Sequence, residues 1–178
     1  MEMDVELNIK DRILQRIEES AAHSVFFIGD FTEIGAAETV RKVLKEAMEL
    51  GLLEHLAHGI YVRPMTSRFG SVPVPLEHVA IEIAKRDNVQ ILPTGETAAN
   101  VLGVSTQIPM SVSFITTGSS RVINVGNRKI SFIHAAPRNF AYEGTTVSLI
   151  VQTFKSLGKE NVGEAELSAI AKYVEKAS

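Results

Sequence analysis

A charged amphipathic stretch that runs directly into a short ribbon constrains the fold of this chain most. Residues 36–50, AAETVRKVLKEAMEL, have apolar side chains at helical spacing and charges on the opposite face. The apolar stripe comprises Val40, Val43, Leu44, Ala47 and Met48. Gly51 follows at the position where helices commonly end on glycine. The pattern predicts a helix with one buried side and one solvated side.

The ribbon that follows this helix predicts a β-hairpin. Residues 52–56 and 60–63 are the two candidate strands, and residues 57–59 are the turn. Pro64 ends the pairing because it has no backbone N–H to donate.

The elements before the helix complete a familiar order. Residues 4–20 predict an amphipathic helix, residues 24–28 predict a short buried strand, and Asp30 and Thr32 are candidate caps of one helical turn. Helix, short strand, short helix, longer helix and hairpin is the order of a winged helix-turn-helix. In such a motif the second helix lies in the DNA major groove and the hairpin lies beside it. We therefore expect residues 1–66 to be a DNA-binding domain.

A second unit follows a proline- and glycine-containing stretch. Residues 67–75, SRFGSVPVP, are expected to be a linker. Residues 76–178 predict helices at 76–87, 94–103, 145–158 and 163–177, strands at 89–93 and 110–118, and a hairpin over 121–137. We therefore expect an α+β protein, with an N-terminal winged helix-turn-helix and a C-terminal mixed α/β domain.

The composition excludes several classes of protein. The chain has no cysteine, which excludes disulfides, thiolate nucleophiles and cysteine-based zinc sites. The acidic start, MEMDVELNIK, is unlike a signal peptide, and no apolar run approaches the ~18 residues of a membrane helix. We expect a soluble cytoplasmic protein that makes no contact with a membrane.

The charge is unevenly distributed between the two parts of the chain. Residues 1–72 carry 8 Lys and Arg against 12 Asp and Glu, a net charge of −4. Residues 73–178 carry 10 against 9, a net charge of +1. Neither part is a strong basic patch, although DNA binding needs a surface that accepts a polyanion.

The solvated face of the 36–50 helix carries the candidate DNA contacts. Cations at 41, 42 and 45 can meet phosphates, and the side chains at 38 and 39 lie near the helix start, where base edges are usually read. The candidates are Glu38, Thr39, Arg41, Lys42 and Lys45. The alternative is a solvated salt-bridged face, because Glu38–Lys42, Lys42–Glu46 and Lys45–Glu49 all have i,i+4 spacing.

The hairpin adds His58 and Arg63 as candidate contacts to phosphate or to the minor groove. An ordinary surface histidine is the alternative for His58. His55 and His58 are three residues apart, but in a strand and turn that spacing does not bring the rings together. We expect no metal and no cofactor.

The second unit offers weaker candidates for contact with a partner or an anion. Thr94 and Gly95 could cradle an anion at a helix start, although a cap by Thr94 or Thr97 is the simpler interpretation. Arg121 and Arg128 could form a basic strip on the hairpin, or be ordinary hairpin surface.

Two other classes of function stay open. One is a winged helix used only for protein contact, which would show an exposed apolar patch on the 36–50 helix. The other is an enzyme with Thr94, Gly95, Arg121 and His134 converging on a pocket. No Gly-x-Ser-x-Gly elbow or phosphate-binding loop occurs, and we expect no catalysis.

Two segments resemble a known bacterial family. FTEIGAAETVRKVLKEAMELGLLEHLAHGIYVRP is similar to the N-terminal winged helix of AbiEi-type antitoxins and related regulators. ILPTGETAANVLGVSTQIPMSVSFITTG resembles the second domain of one branch of that group, in which PTG, AAN-x-LG and STQ-x-P recur together.

The resemblance implies a transcriptional regulator that binds DNA upstream of its own operon as a type IV antitoxin. Its implied partner is a nucleotidyltransferase-like toxin, which such antitoxins oppose without necessarily binding it. By position, Thr39, Arg41, Lys42, Lys45, His58 and Arg63 correspond to the DNA contacts. A homodimer is a further expectation, because winged-helix repressors often pair on palindromes. The chain ends soon after 163–177, which leaves open a missing C-terminal piece.

Overall fold

A computed structural model describes residues 8–104, 109–141 and 145–177 of the chain. The protein is a mixed α+β molecule that divides into two compact units, Met1–Pro75 and Leu76–Ser178. None of the helices in the described ranges combines the length and the apolar character needed to cross a bilayer.

Helices form the core of the first unit. Helix α1 spans Ile9–Glu18 and begins at Asn8, whose side-chain oxygen accepts a hydrogen bond from the Asp11 N–H at 2.9 Å. Helix α2 spans Ala37–Glu49, close to its predicted range. The shared core comprises Ile13, Ile17, Phe26, Phe31, Val40, Val43, Leu44, Ala47 and Leu53. The predicted start of α1 at residues 4–7 lies outside the described residues.

A three-stranded antiparallel sheet closes the first unit. Its strands are β1 (Val25–Phe27), β2 (Glu54–Ala57) and β3 (Ile60–Val62), in the order β1-β3-β2. Gly59 turns the β2–β3 hairpin with a φ of +70°, a conformation that favours glycine. The predicted short strand and the predicted hairpin are therefore confirmed as elements.

The segment between β1 and α2 differs from prediction in its caps. A 3-10 turn spans Ile28–Phe31, and of the two predicted caps Asp30 binds its start, whereas Thr32 lies past its end. Asp30 lies inside the turn, where its carboxylate accepts the Phe27 N–H at 2.7 Å. Thr32 follows the turn and donates its hydroxyl to the Gly29 carbonyl at 2.9 Å. Asp30 thus binds the start of the turn from within it.

The stretch expected to be a linker contains a second hairpin. Strand β4 (Met65–Ser67) pairs antiparallel with β5 (Gly70–Val72). The Ser67 hydroxyl accepts the Phe69 N–H at 3.2 Å and donates to the Gly70 carbonyl at 3.1 Å, so it organises the turn. Gly70 has a φ of +114°. The prolines that suggested a linker flank the hairpin, and so remove no donor from its ladder.

The second unit is built on a four-stranded sheet. Its strands are β6 (Ile91–Pro93), β7 (Ser111–Thr116), β8 (Arg121–Val125) and β9 (Arg128–His134), in the order β6-β7-β9-β8. Strands β7 and β9 are parallel, and the other pairs are antiparallel. The predicted turn at Gly126 and Asn127 joins β8 to β9, which confirms that hairpin.

Four helices accompany this sheet. They are α3 (Leu76–Asp87), α4 (Glu96–Val101), α5 (Thr145–Leu157) and α6 (Glu164–Ala177), each within two residues of its predicted bounds at both ends. Ala98, Leu102, Leu149 and Ile170 form a buried cluster where α4, α5 and α6 meet. The small Ala98 side chain, fully buried, lets these helices approach closely.

Candidate nucleic-acid interface

Helix α2 separates its apolar and charged residues onto two faces. Its buried side chains, Val40, Val43, Leu44 and Ala47, are in the first-unit core. The opposite face is exposed, and it carries all five predicted helix contacts: Glu38, Thr39, Arg41, Lys42 and Lys45. Burial of the apolar stripe thus fixes these five side chains towards solvent.

Only one of the three cations on this face forms an ion pair with a carboxylate of α2. Glu38 and Lys42 form an ion pair of 3.1 Å, with both side chains at least three-quarters exposed. The other two pairs that the spacing allowed, Lys42–Glu46 and Lys45–Glu49, do not form in α2, all of whose residues the structure describes. The ion pairs within α2 are therefore limited to Glu38–Lys42.

The Glu46 carboxylate binds a residue of α1 instead of Lys42. The Lys10 ammonium donates to Glu46 at 2.5 Å and joins α1 to α2. This hydrogen bond, together with the Glu46 charge, holds the pKa of Lys10 above its ordinary value. Arg41 and Lys45 are left with no carboxylate at ion-pair distance among the described residues. Two free cations therefore stand on the exposed face.

The β2–β3 hairpin presents one of its two predicted contacts. His58 is exposed in the turn. His55 packs edge-on against Tyr61, with ring centroids 5.5 Å apart. His58 is thus open to a partner, while His55 supports the sheet.

Arg63, the other predicted contact of the hairpin, is bonded within its own unit. Its Nη1 atom donates to the Ile17 carbonyl at 3.1 Å and also to the carbonyls of Glu18 and Ser20. These are carbonyls at the end of α1, which lack partners within the helix. The side chain is half-buried and directed into its own unit. Arg63 therefore binds the end of α1 through Nη1, and its contact with DNA stays a prediction.

Thr94 and Gly95 lie between β6 and α4. Gly95 is the residue before the helix, with a φ of +56°, and no side chain caps α4. The Thr94 hydroxyl is 3.4 Å from the Gln152 side-chain oxygen, whereas Thr97 accepts the Ser113 N–H at 2.8 Å. The prediction that Thr94 or Thr97 caps this helix is wrong, because both hydroxyls bind elsewhere. Thr97 instead joins α4 to β7.

Arg121 is engaged within the second unit. Its Nη2 atom forms an ion pair with Asp87, and its guanidinium lies 5.3 Å from the Phe132 ring centroid. The pKa of Asp87 is below its ordinary value, first because Arg86 donates to the carboxylate and then because Arg121 does, against an opposing effect of burial. Arg128 begins β9 and is half-buried.

The residues of the enzyme alternative are not brought together. Thr94 follows edge strand β6 and Arg121 begins the opposite edge strand β8, three strands away, which is about 14 Å at the usual strand spacing. A cavity of about 250 Å³ is lined by Asp87, Val89, Thr116, Gly118, Ser119, Arg121 and Phe132. It includes neither Thr94, nor Gly95, nor His134, whose Nδ1 atom is 2.8 Å from the Gly118 carbonyl.

Metal ligands do not cluster either. Within the described ranges, no group of three or more histidine and carboxylate side chains is placed to hold an ion.

Sequence reasoning missed two features of the first unit. Lys10 binds Glu46, the carboxylate that the spacing offered to Lys42, but Lys10 and Glu46 are 36 positions apart and share no motif. The turn of the second hairpin exposes Arg68 and Phe69. The Ser-Arg-Phe-Gly sequence could have indicated that turn, since serine and glycine are typical turn residues.

Residues 12–178 match the family of unknown function DUF6088, so the chain belongs to that family. No curated protein and no solved structure matches the chain. The STQ-x-P motif of the sequence resemblance falls at 105–109, and its first four positions lie outside the described residues.

Proposed function

We propose that this member of the DUF6088 family is a DNA-binding transcriptional regulator. Its first unit acts as a winged helix-turn-helix, with α2 as the recognition helix. The observation that carries the proposal is the exposed face of α2, on which Arg41 and Lys45 have no carboxylate partner among the described residues. Free cations on a solvated helix are what a phosphate backbone attracts.

The order of elements supports this assignment. Helix α1, strand β1, a 3-10 turn, helix α2 and the β2–β3 hairpin follow one another, and β3 pairs with both β1 and β2. In winged helices the hairpin flanks the helix that enters the major groove. The His58 turn then lies beside the DNA backbone.

The residues divide by task along the helix. Glu38 and Thr39 in the first turn face base edges, where a carboxylate accepts from a cytosine amino group and a hydroxyl bonds to several bases. Arg41, Lys42 and Lys45 contact phosphates. The Nη1 atom of Arg63 binds the end of α1, and the predicted contact of this residue with DNA is retained in the proposal.

The biological setting rests on the resemblance to AbiEi-type antitoxins. We propose a bacterial, cytoplasmic antitoxin that binds the promoter of its own type IV toxin–antitoxin operon, as a homodimer and without a cofactor. Its partner is a nucleotidyltransferase-like toxin, and the second unit carries the antitoxin function.

A winged helix used only for protein contact is less well supported. That function requires an exposed apolar patch on α2, whereas the exposed face is dominated by charged side chains. Leu50, just past the helix, is the one large apolar side chain exposed at that end.

Binding to the DNA upstream of the protein's own gene tests the proposal. Fluorescence anisotropy should show tighter binding to that duplex than to a scrambled duplex of equal length. Combined Arg41→Ala and Lys45→Ala substitution should weaken binding to both duplexes, because phosphate contacts are independent of sequence. A matched control is Lys129→Ala plus Lys155→Ala, exposed lysines of the second unit. Equal, feeble binding of wild type to both duplexes at low salt would exclude the proposal.

A further inference from the structure

The two edges of the second-unit sheet differ in how they are protected. Strand β6 has three residues, ends at Pro93 and packs against α5. Strand β8, at the other edge, has five residues and contains no proline. Its Val122 side chain is 58% exposed, and Asn124 is exposed as well. Proline, short length and a covering helix all keep an edge from pairing with another strand, so β8 is the unprotected edge among the described strands of this sheet.

The turn of the β8–β9 hairpin determines which backbone groups of β8 point outwards. Val125 and Arg128 pair directly across the two-residue turn, so they exchange hydrogen bonds with each other. Such bonds alternate along an antiparallel ladder, and this ladder has a regular register. Val122 and Asn124 therefore direct their N–H and C=O groups away from β9. No hydrogen bond joins these groups to another part of the described chain.

The outward groups match a second copy of the same strand. When two β8 strands pair antiparallel about a twofold axis at Ile123, Val122 of one copy lies opposite Asn124 of the other, and the outward groups of both residues are bonded. Ile123 then lies opposite its own copy. No like charges face each other, because Arg121 is the single charged residue of β8 and lies opposite Val125. The strand is thus complementary to itself in register and in charge.

Exposed apolar side chains lie beside this edge. Val122 is opposite Ser131, and Ile133 is two residues further along β9, so Val122 and Ile133 point to the same face of the sheet. They are 58% and 50% exposed. Ile123, on the other face, is half-buried. Pairing with a second copy removes Val122 and Ile123 further from water, which favours association.

We propose that two copies of this protein associate through their β8 strands, which pair antiparallel and join two four-stranded sheets into one sheet of eight strands. The inference rests on the homodimer of the proposed function and names its interface. A twofold axis at the Ile123 pair suits a palindromic DNA site, which has the same symmetry. The protein thus dimerises through its second unit.

Sedimentation equilibrium of the full chain without DNA tests the interface. Wild type should be a dimer that dissociates on dilution. Val122→Lys places a charge on the paired edge, which is one of the devices by which natural sheets prevent such pairing, and it should weaken the dimer about tenfold or more. Leu167→Lys is the matched control, because it charges a side chain on α6 that is 51% exposed, and it should leave the mass unchanged.

A single engineered cysteine tests the register, because the chain has no cysteine of its own. The two Ile123 residues form a pair without hydrogen bonds, in which the Cα atoms are about 4.5 Å apart, within the range that a disulfide spans. Ile123→Cys should therefore form a disulfide-linked dimer under mild oxidation. Asn127→Cys is the control, because this exposed turn residue lies at opposite ends of the paired strands in the two copies and should not cross-link.

The outcomes separate this inference from the proposed function. A monomeric wild type, or a dimer that Val122→Lys leaves intact and Ile123→Cys fails to cross-link, overturns the β8 interface whether or not the protein binds its upstream duplex. Cross-linking of Asn127→Cys in place of Ile123→Cys overturns it as well. A dimer that responds to both substitutions as expected supports the interface, even where wild type shows no preference for the upstream duplex, a result that excludes the proposed function alone.

Discussion

The Arg63 guanidinium lies 3.1 Å from the Ile17 carbonyl oxygen, so the segment directly after β3 is bonded to the end of α1. The two residues are 46 positions apart. A positive charge at a helix C-terminus also complements the helix dipole. A side chain that sequence position assigned to DNA therefore contributes to stability.

Replacing Arg63 should test that role directly. Arg63→Ala leaves carbonyls at the end of α1 without their charged donor, and we expect the free energy of unfolding to fall by about 2 kcal/mol. Urea denaturation measures the change. Arg68→Ala, five residues further on and exposed, is the matched control and should change stability little. Unchanged stability of Arg63→Ala with lost DNA affinity would assign Arg63 to DNA rather than to the end of α1.

Glu38 should act on specificity more than on affinity. It lies in the first turn of α2 and holds Lys42 at 3.1 Å. Glu38→Ala removes a negative charge that repels the phosphates, and it removes a base acceptor from the groove. Binding to scrambled DNA should strengthen, and the preference for the native duplex should fall roughly tenfold, as expected for loss of one base contact. An undiminished preference would show that Glu38 reads no base.

Thr97 should be important for the stability of the second unit. Its hydroxyl accepts the Ser113 N–H at 2.8 Å, and the residue is 2% exposed. Thr97→Val keeps the shape but leaves that N–H without an acceptor, at a cost of about 2 kcal/mol. Thr97→Ser keeps the hydroxyl and should lose less. Chemical denaturation of the two variants would contradict this account if valine were the better tolerated residue.

Asp87 should make stability depend on pH in the acid range. Hydrogen bonds from Arg86 and then Arg121 lower its pKa in the folded protein. The stabilisation is therefore present above the ordinary aspartate pKa of about 4 and is lost as the pH falls through the lower folded value. Asp87→Asn should be less stable near neutral pH by about 1 kcal/mol or less, since the pair is partly solvated.

The comparison to make for Asp87 is the stability difference between wild type and variant, measured by denaturation at several pH values. It should shrink towards zero below about pH 4. A difference that stays constant through the acid range would mean that the Asp87 charge is not responsible.

Local patterns predicted most elements of this fold. The apolar period of α2 and the glycine turn of β2–β3 depend on residues that are close together in the sequence. Both elements appear where they were expected. The β4–β5 hairpin was missed because its flanking prolines outweighed the Ser67 and Gly70 turn residues. The parallel pairing of β7 with β9 could not be predicted from local patterns, because it depends on which strands become neighbours in the sheet.

The candidate interface was likewise predictable only where it depends on residues close together in the sequence. Which α2 side chains face solvent follows from the helical period. Which carboxylate each cation meets does not, because Glu46, four residues after Lys42, binds Lys10 of another helix. The bonds of Arg63 to the end of α1 could not be predicted for the same reason, since its partners lie more than forty residues away.

The salt dependence of DNA binding tests the central claim most directly. The slope of the logarithm of the binding constant against the logarithm of salt concentration counts the phosphates that the protein neutralises. Wild type, Arg41→Ala and Lys45→Ala would be titrated with the upstream duplex from about 50 to 200 mM salt, with Lys155→Ala as control. We predict that each α2 variant lowers the magnitude of the slope by about 0.9, while the control does not. A slope unchanged by both α2 substitutions would contradict the placement of this helix on DNA.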